Sequence, residues 1–192
     1  MLFPLVQAIT FAQYHGGPVI HSAQVVPVLL GPTPTSFPYY KSIQHYYAQI
    51  MDSPYIDMLS EYNNKTKIIR GKAWTPQYIF TDKSTFDDND IMDSLGAMVK
   101  RGTIKPSVNT IYAVHASPGI AITFSGLESC KTFCAYHSNM GLDDGSTLIY
   151  TVIPDTDCAL CGGFYNNYNN FGMMASHELV EAITNPDTGN SY

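Results

Sequence analysis

The sequence predicts one α+β domain that spans residues 1–192 and contains a mixed β-sheet with flanking helices. Its 192 residues suit a single domain and are enough to bury a substantial core. Hydrophobic residues make up 45% of the chain, which is typical of a globular protein rather than a disordered one. Strand-like runs occur together with separate helical segments, and no internal repeat or linker divides the chain.

Apolar and β-branched runs bounded by Gly, Pro and Asn predict the strands. Residues 19–30 are rich in valine and end at Gly31-Pro32, where a proline-rich loop begins. The apolar residues 1–12 lack the basic start of a signal peptide, and we expect a first strand or arm there, or the remnant of a longer leader. The other predicted strands are residues 67–73, Gln77–Phe80, Thr110–Ala116, 120–124, 133–136 and 148–153.

Helices are predicted from three- and four-residue apolar spacing together with capping signals. Ser53 and Pro54 suit the start of a short helix, and Gly102 suits the end of a longer one that follows an acidic stretch. The last helix follows an Asn/Tyr-rich loop at 165–170 and ends at Asn185, because the residue before a proline disfavours helical backbone. The predicted helices are residues 39–51, 54–62, 91–101 and 171–184.

The charge composition excludes two classes of protein. Net charge is −6 and the pI is about 5.3, which argues against nucleic acid as a partner because phosphate binding needs a basic surface. No apolar run reaches ~18 residues, so the sequence predicts no membrane span. Charged residues are only 14% of the chain, and its 14 tyrosines supply much of the polarity. This composition is typical of secreted and wall-associated proteins.

Four cysteines form two closely spaced pairs, Cys130 with Cys134 and Cys158 with Cys161. The even count in a chain of low charge favours disulfides, although the sequence does not fix their connectivity. Four thiolates could instead hold a structural zinc ion. A C-x-x-C redox centre is the third alternative, but no thioredoxin-like βαβ pattern surrounds this pair.

The segment Ser176-His177-Glu178-Leu179-Val180-Glu181 carries an H-E-x-x-E motif. Residues four apart lie on the same face of a helix, so His177 and Glu181 can bind one metal ion, as in the H-E-x-x-H zinc helix. Asp187 follows His177 by ten residues, the offset of the third ligand in the metzincin pattern. The sequence therefore predicts a zincin-like helix with zinc ligands His177, Glu181 and Asp187, and with Glu178 as the general base.

Departures from that pattern leave alternatives open. A glutamate replaces the second histidine, and with more oxygen ligands calcium competes with zinc. Without a metal, the motif would be the solvated face of an amphipathic helix. Against this, no lysine or arginine lies within residues 148–192, so the acidic groups there lack a basic counterpart. His137 and His15 are predicted as additional candidate ligands.

Several segments together resemble a known family. They are, in order, Tyr14-His15-Gly16-Gly17-Pro18-Val19, Ile111-Tyr112-Ala113-Val114, Phe133-Cys134-Ala135-Tyr136-His137, the Cys158/Cys161 pair and Thr184-Asn185-Pro186. This set resembles the EXORDIUM, or phosphate-induced, proteins of plants over nearly the whole chain. The sequence is closer to bacterial and fungal relatives, which also share Ser53 to Tyr62 and the Ser-His-Glu-Leu-x-Glu segment.

The resemblance implies an extracellular or wall-associated protein with paired disulfides. The plant members are linked to growth and the cell wall and lack the His-Glu pair, whereas the relatives that carry it look like zinc-dependent peptidases. Those relatives continue past the Asn-Pro segment into a Gly- and acid-rich stretch that ends in cysteine. We therefore expect either that this chain, which stops at Tyr192, is truncated at its C-terminus or that part of the site is missing.

Two functions are predicted. The first is a secreted metal-dependent hydrolase whose substrate is a peptide or a wall polymer. The alternative is a non-catalytic extracellular domain, in which the same residues bind calcium or no metal. Aromatic side chains would then provide a stacking surface. The candidates for this surface are Tyr39, Tyr40, Tyr46, Tyr47 and Trp74.

Overall fold

A six-stranded mixed sheet forms the centre of the computed structural model, which describes residues 13–62, 67–162 and 167–188. The strand order is β2-β1-β5-β9-β8, and β3 also pairs with β1. Strands β1, β2, β3, β5 and β9 run parallel, and β8 runs antiparallel to β9 at one edge. A second sheet has the order β4-β6-β7. The strands are β1 Gln24–Gly31, β2 Lys72–Ala73, β3 Gln77–Phe80, β4 Thr85–Asp87, β5 Thr110–Ala116, β6 Ala121–Phe124, β7 Leu127–Glu128, β8 Tyr136–Gly141 and β9 Thr147–Ile153.

Four α-helices cover the two faces of the larger sheet in the described part of the chain. They are α1 Ile43–Met51, α2 Pro54–Asp57, α3 Asp88–Lys100 and α4 Asn167–Thr184. A 3₁₀ helix, Met58–Tyr62, continues α2, and another lies at Pro34–Ser36. None of the helices among the described residues is long and apolar enough to cross a membrane.

The central strands are buried on both faces, which explains their continuous apolar sequence. All seven residues of β5 are buried, and its side chains alternate between two core clusters. Ile111 and Ala113 pack with residues of α1 and α4 on one side of the sheet. Tyr112 and Val114 pack with residues of α3 on the other side. The sheet therefore separates an α1/α4 layer from an α3 layer.

The start of α3 is fixed by polar contacts to the sheet. Asp87 is the N-cap residue, and its carboxylate accepts a hydrogen bond from the backbone N–H of Asn89. Asp88 is buried, and its Oδ1 accepts hydrogen bonds from the hydroxyls of Tyr136 at 2.6 Å and Tyr150 at 3.0 Å. A buried carboxylate needs such donors. Because Tyr136 is the first residue of β8, this contact also anchors the edge strand.

The α+β fold class and the mixed sheet with flanking helices are confirmed. Two strands, Gln77–Phe80 and Thr110–Ala116, have the predicted bounds. The prediction for residues 133–136 is wrong, since the strand there is Tyr136–Gly141. Strand β1 begins at Gln24 rather than at residue 19, and α1 begins at Ile43 because a turn precedes it. The strand or arm predicted for residues 1–12 lies outside the described residues.

All four cysteines form disulfides, as the favoured interpretation predicted. The bonds join Cys130 to Cys158 and Cys134 to Cys161. The sulfur atoms of Cys130, Cys158 and Cys161 lie close enough together to suggest a metal site. A disulfide sulfur is not a thiolate, however, so the zinc and C-x-x-C redox alternatives do not apply to this structure. Such bonds are typical of proteins from oxidising compartments.

Candidate metal centre

Helix α4 carries the predicted metal motif and packs against β8 and β9. Phe171, Ala175 and Leu179 recur every four residues along its buried face. Glu178 lies beside Leu179 and is only 4% exposed. This glutamate is therefore not on a solvated helix face, and a carboxylate at such a position needs a partner of opposite charge or a hydrogen-bond donor.

Strand β8 places His137 beside the carboxylate of Glu178. Nδ1 of His137 lies 3.1 Å from Oε2 of Glu181 and 3.6 Å from Oε2 of Glu178. One ligand atom from each of these three residues lies within 4.8 Å of the other two. His137 and Glu178 are nearly buried, whereas Glu181 is partly exposed. These three residues are called the His137 cluster below.

The hydrogen bond at the far side of the imidazole determines what Nδ1 can do. Nε2 of His137 lies 3.1 Å from the backbone carbonyl oxygen of Asn185. A carbonyl only accepts hydrogen bonds, so Nε2 carries a proton, and Nδ1 is the ring nitrogen that faces the two carboxylates. Carboxylate oxygens also only accept, so the arrangement is stabilised either by a second proton on Nδ1 or by a cation between the three groups. A backbone carbonyl that orients the second ring nitrogen is typical of metal-bound histidine.

The charge around the cluster favours a cation. No lysine or arginine follows Lys131 in the sequence. Among the described residues, the only groups that form ion pairs with Glu178 and Glu181 are the imidazoles of His137 and His177. Oε2 of Glu178 is buried and has no hydrogen-bond partner in the described part of the chain. A buried, unpartnered carboxylate oxygen costs several kcal/mol unless a metal or a proton is present.

The spacing of the ligand atoms is compatible with a bound metal ion, and their chemical type bears on which ion fits. Two ligands ~2.0–2.1 Å from a tetrahedral zinc ion lie about 3.3 Å apart, which is close to the 3.1 and 3.6 Å separations of the cluster. Zinc accepts imidazole together with carboxylate oxygens, whereas calcium takes oxygen ligands. A nitrogen ligand on the best-oriented residue therefore favours zinc or a similar transition metal over calcium.

His177 lies at the mouth of the cluster. Its Nε2 is 3.1 Å from Oε1 of Glu181, and its side chain is exposed. Both residues line an open cleft of about 440 Å³, together with His137, Tyr55 and Asn185. Glu178 is buried and is not among the described residues that line this cleft. Glu181 thus uses one carboxylate oxygen toward His137 and the other toward the solvent-facing His177.

The remaining predicted ligands lie elsewhere. Asp187 is exposed and lines a separate cleft of about 780 Å³ with His21 and Asn139, so it is not part of the His137 cluster. The amide of Asn139 donates to the carbonyl of Pro186 at 3.1 Å and holds the segment after α4 against β8. His15 is exposed and belongs to neither group of close ligand atoms among the described residues.

His137 was predicted only as an additional candidate, yet it is the residue on which the cluster centres. The predicted strand ended at Tyr136, one residue before His137, whereas β8 continues to Gly141. The sequence did hold one signal for a strand here, the alternation of the polar residues His137 and Asn139. In the structure both residues contact the segment that follows α4. No pattern in the sequence connects His137 to Glu181, 44 residues away.

We expect zinc affinity to rise with pH because zinc and a proton compete for Nδ1 of His137. Burial of the imidazole lowers its pKa, but the neighbouring Glu178 and Glu181 carboxylates and the Asn185 carbonyl outweigh burial and raise the pKa above 6.5. Below that raised pKa, each pH unit should cost about tenfold in affinity. Zinc titrations from pH 5.5 to 8.5 measure this slope.

The raised pKa of His137 predicts the opposite pH dependence for the stability of the metal-free protein. A raised pKa in the folded state stabilises the protein below pH 6.5, and this contribution is lost as pH rises through the folded-state value. Zinc should therefore stabilise the fold more at pH 8 than at pH 6. A His45→Ala variant removes an exposed histidine of α1 and should keep the slope. A zinc affinity independent of pH would contradict the assignment of His137 as a zinc ligand.

No protein-family model matches this sequence, and neither does any curated protein.

Proposed function

We propose that this protein is a secreted, zinc-dependent hydrolase that cleaves peptide bonds. One observation carries the proposal: Nδ1 of His137 converges with carboxylate oxygens of Glu178 and Glu181, while the opposite ring nitrogen contacts the Asn185 carbonyl. The two disulfides support the extracellular location. The choice of peptide rests on the resemblance of the Ser176–Glu181 segment to zinc-dependent peptidases of the EXORDIUM-like group.

The proposed roles follow from position in the cleft. His137, Glu178 and Glu181 would supply three protein ligands, the number usual in catalytic zinc sites, and the open side of the cleft leaves room for water and substrate. Glu178 is assigned as a ligand rather than a general base, because it is buried behind the cleft and cannot reach solvent water there. This differs from the role that the sequence motif predicts for it.

His177 is the proposed general base. It lines the cleft, is exposed, and lies 3.1 Å from a carboxylate oxygen of Glu181 that can orient the imidazole. A bound zinc ion would lower the pKa of a coordinated water toward ~7 and polarise the substrate carbonyl. His177 would accept a proton from the attacking water and return it to the leaving nitrogen. The C–N bond of the peptide would break as the water oxygen bonds to the carbonyl carbon, and His177 would end in its starting protonation state.

Zinc-loaded protein is expected to cleave members of a mixed, quenched fluorescent peptide library. A His177→Ala variant should bind zinc with unchanged stoichiometry and lose ~10²–10⁴-fold in kcat, the usual contribution of a general base. The His45→Ala variant is the matched control and should retain full activity, since this exposed histidine lies on α1 outside the cleft. Full zinc occupancy without cleavage of any peptide would refute the catalytic part of the proposal and leave a metal-binding domain.

A further inference from the structure

Trp74 is the only tryptophan in the chain, and it follows β2 directly at the edge of the large sheet. It is 48% exposed. The tyrosines that the sequence analysis grouped with it have a different environment, since Tyr47 is buried and Tyr39, Tyr40 and Tyr46 pack against the α1/α4 core. Of those five candidates, only Trp74 offers a largely accessible ring outside that core.

The indole of Trp74 is held in a fixed orientation by its neighbours. Its Nε1–H donates to Oε1 of Gln24 at 3.2 Å, and the same amide donates from Nε2 to the carbonyl of Ser22 at 3.3 Å. Lys72 places its Nζ 4.2 Å from the ring centroid, within the range of a cation–π contact. A ring that is already oriented loses little conformational entropy when a ligand stacks on it.

A cleft of about 500 Å³ opens beside this ring on the α3 side of the sheet. Its polar lining consists mainly of amides and hydroxyls, including those of Gln77, Thr75 and Thr103. Lys105 is the charged residue of the lining, and no carboxylate occurs among the described residues that line the cleft. Neither Lys105 nor Lys72 forms an ion pair with a described residue. In a chain of net charge −6, this cleft is therefore locally positive.

We propose that the Trp74 cleft binds an acidic oligosaccharide. A sugar ring presents an apolar C–H face that can stack on an indole, and hydroxyls that pair with amide and hydroxyl groups such as those of Gln77 and Thr103. The carboxylate of a uronate unit would complement Lys105.

This cleft is separate from the His137 cluster. Strand β2 and strand β8 lie at opposite edges of the large sheet. The Trp74 cleft lies on the α3 side, whereas α4 and the His137 cluster lie on the other side. The saccharide proposal therefore does not depend on a metal, and it can be tested on protein treated with a chelator.

The single tryptophan makes intrinsic fluorescence a direct probe of this cleft. A galacturonate hexamer is expected to cause a saturable change in the emission of metal-free protein, and cellohexaose, a neutral hexasaccharide, is expected to bind at least about tenfold more weakly. Calorimetry then measures variants that lack the fluorophore. Trp74→Ala should weaken binding of the galacturonate hexamer by at least about tenfold, and Trp74→Tyr should retain most of the affinity.

Two further variants locate the site. Lys105→Gln should lower the affinity for the galacturonate hexamer to that for cellohexaose. Phe80→Ala removes another exposed aromatic side chain, 67% exposed on β3 and absent from the cleft lining, and should leave binding unchanged. The proposal is overturned if neither hexamer changes the emission, if cellohexaose binds as tightly as the galacturonate hexamer, or if folded Trp74→Ala protein binds like the wild type.

Discussion

Replacing His137 by alanine is expected to abolish stoichiometric zinc binding, with a loss of at least ~10³-fold in affinity. Removing a neighbour that only orients a metal ligand typically costs 10–100-fold, and loss of a ligand should cost more. Here the loss also leaves Glu178 and Glu181 without the imidazole that lies 3.1 to 3.6 Å from them. Metal analysis after dialysis and a competition titration with a zinc indicator measure the effect.

Asp187→Asn is the matched control, because it separates the two possible ligand sets. The motif predicts Asp187 as a zinc ligand, whereas the structure places it in a different cleft, with His21 and Asn139. We expect this variant to bind zinc like the wild type. If Asp187→Asn lost zinc and His137→Ala retained it, the ligand set inferred from the His137 cluster would be wrong and the motif-based set would stand.

Replacing Cys130 and Cys158 by serine is expected to lower the free energy of unfolding by about 2–3 kcal/mol. The Cys134–Cys161 bond remains in this variant, so the removed bond had closed a residual loop of only about eight residues, for which the chain-entropy model gives this magnitude. The second bond, with a separation of 27, should contribute a similar amount when it is the first to be removed. Urea denaturation with linear extrapolation measures both double variants.

The two disulfides should not contribute additively. Their loops overlap almost completely, so the second bond closes a much shorter loop once the first is present. The variant that lacks all four cysteines should therefore lose about 6 kcal/mol, more than twice the loss of either double variant, because removing the last bond opens the full loop. Wild-type protein in reductant is the control and should match this variant. A change below about 0.5 kcal/mol in both double variants would contradict the assigned connectivity.

The sequence predicted the interior of the fold better than its edges. Strand β5 was predicted with its observed bounds, because burial on both faces requires a continuous apolar run from Thr110 to Ala116. Strand β8 was placed wrongly, because Tyr136–Gly141 is partly buried and polar. Its conformation depends on pairing with β9 and on the contact of Tyr136 with Asp88, and neither is visible in a local pattern.

The site was also only partly predictable, because some of its contacts are local in sequence and others join distant segments. The four-residue spacing correctly places His177 near Glu181, since helix geometry is local. Burial of Glu178 could not be inferred, because the motif alone does not determine which helix face meets the sheet. His137 comes from a distant strand, and its role depends on β8 lying beside the end of α4, where the Asn185 carbonyl fixes the orientation of its ring.

A crystal structure of zinc-soaked protein, with anomalous data collected at the zinc edge, tests the central claim most directly. We predict one strong peak ~2.0–2.2 Å from Nδ1 of His137 and from carboxylate oxygens of Glu178 and Glu181. The contradictory result is the absence of a peak between α4 and β8 in fully occupied crystals, or a zinc ion bound by His177 and Asp187 while Nδ1 of His137 remains uncoordinated.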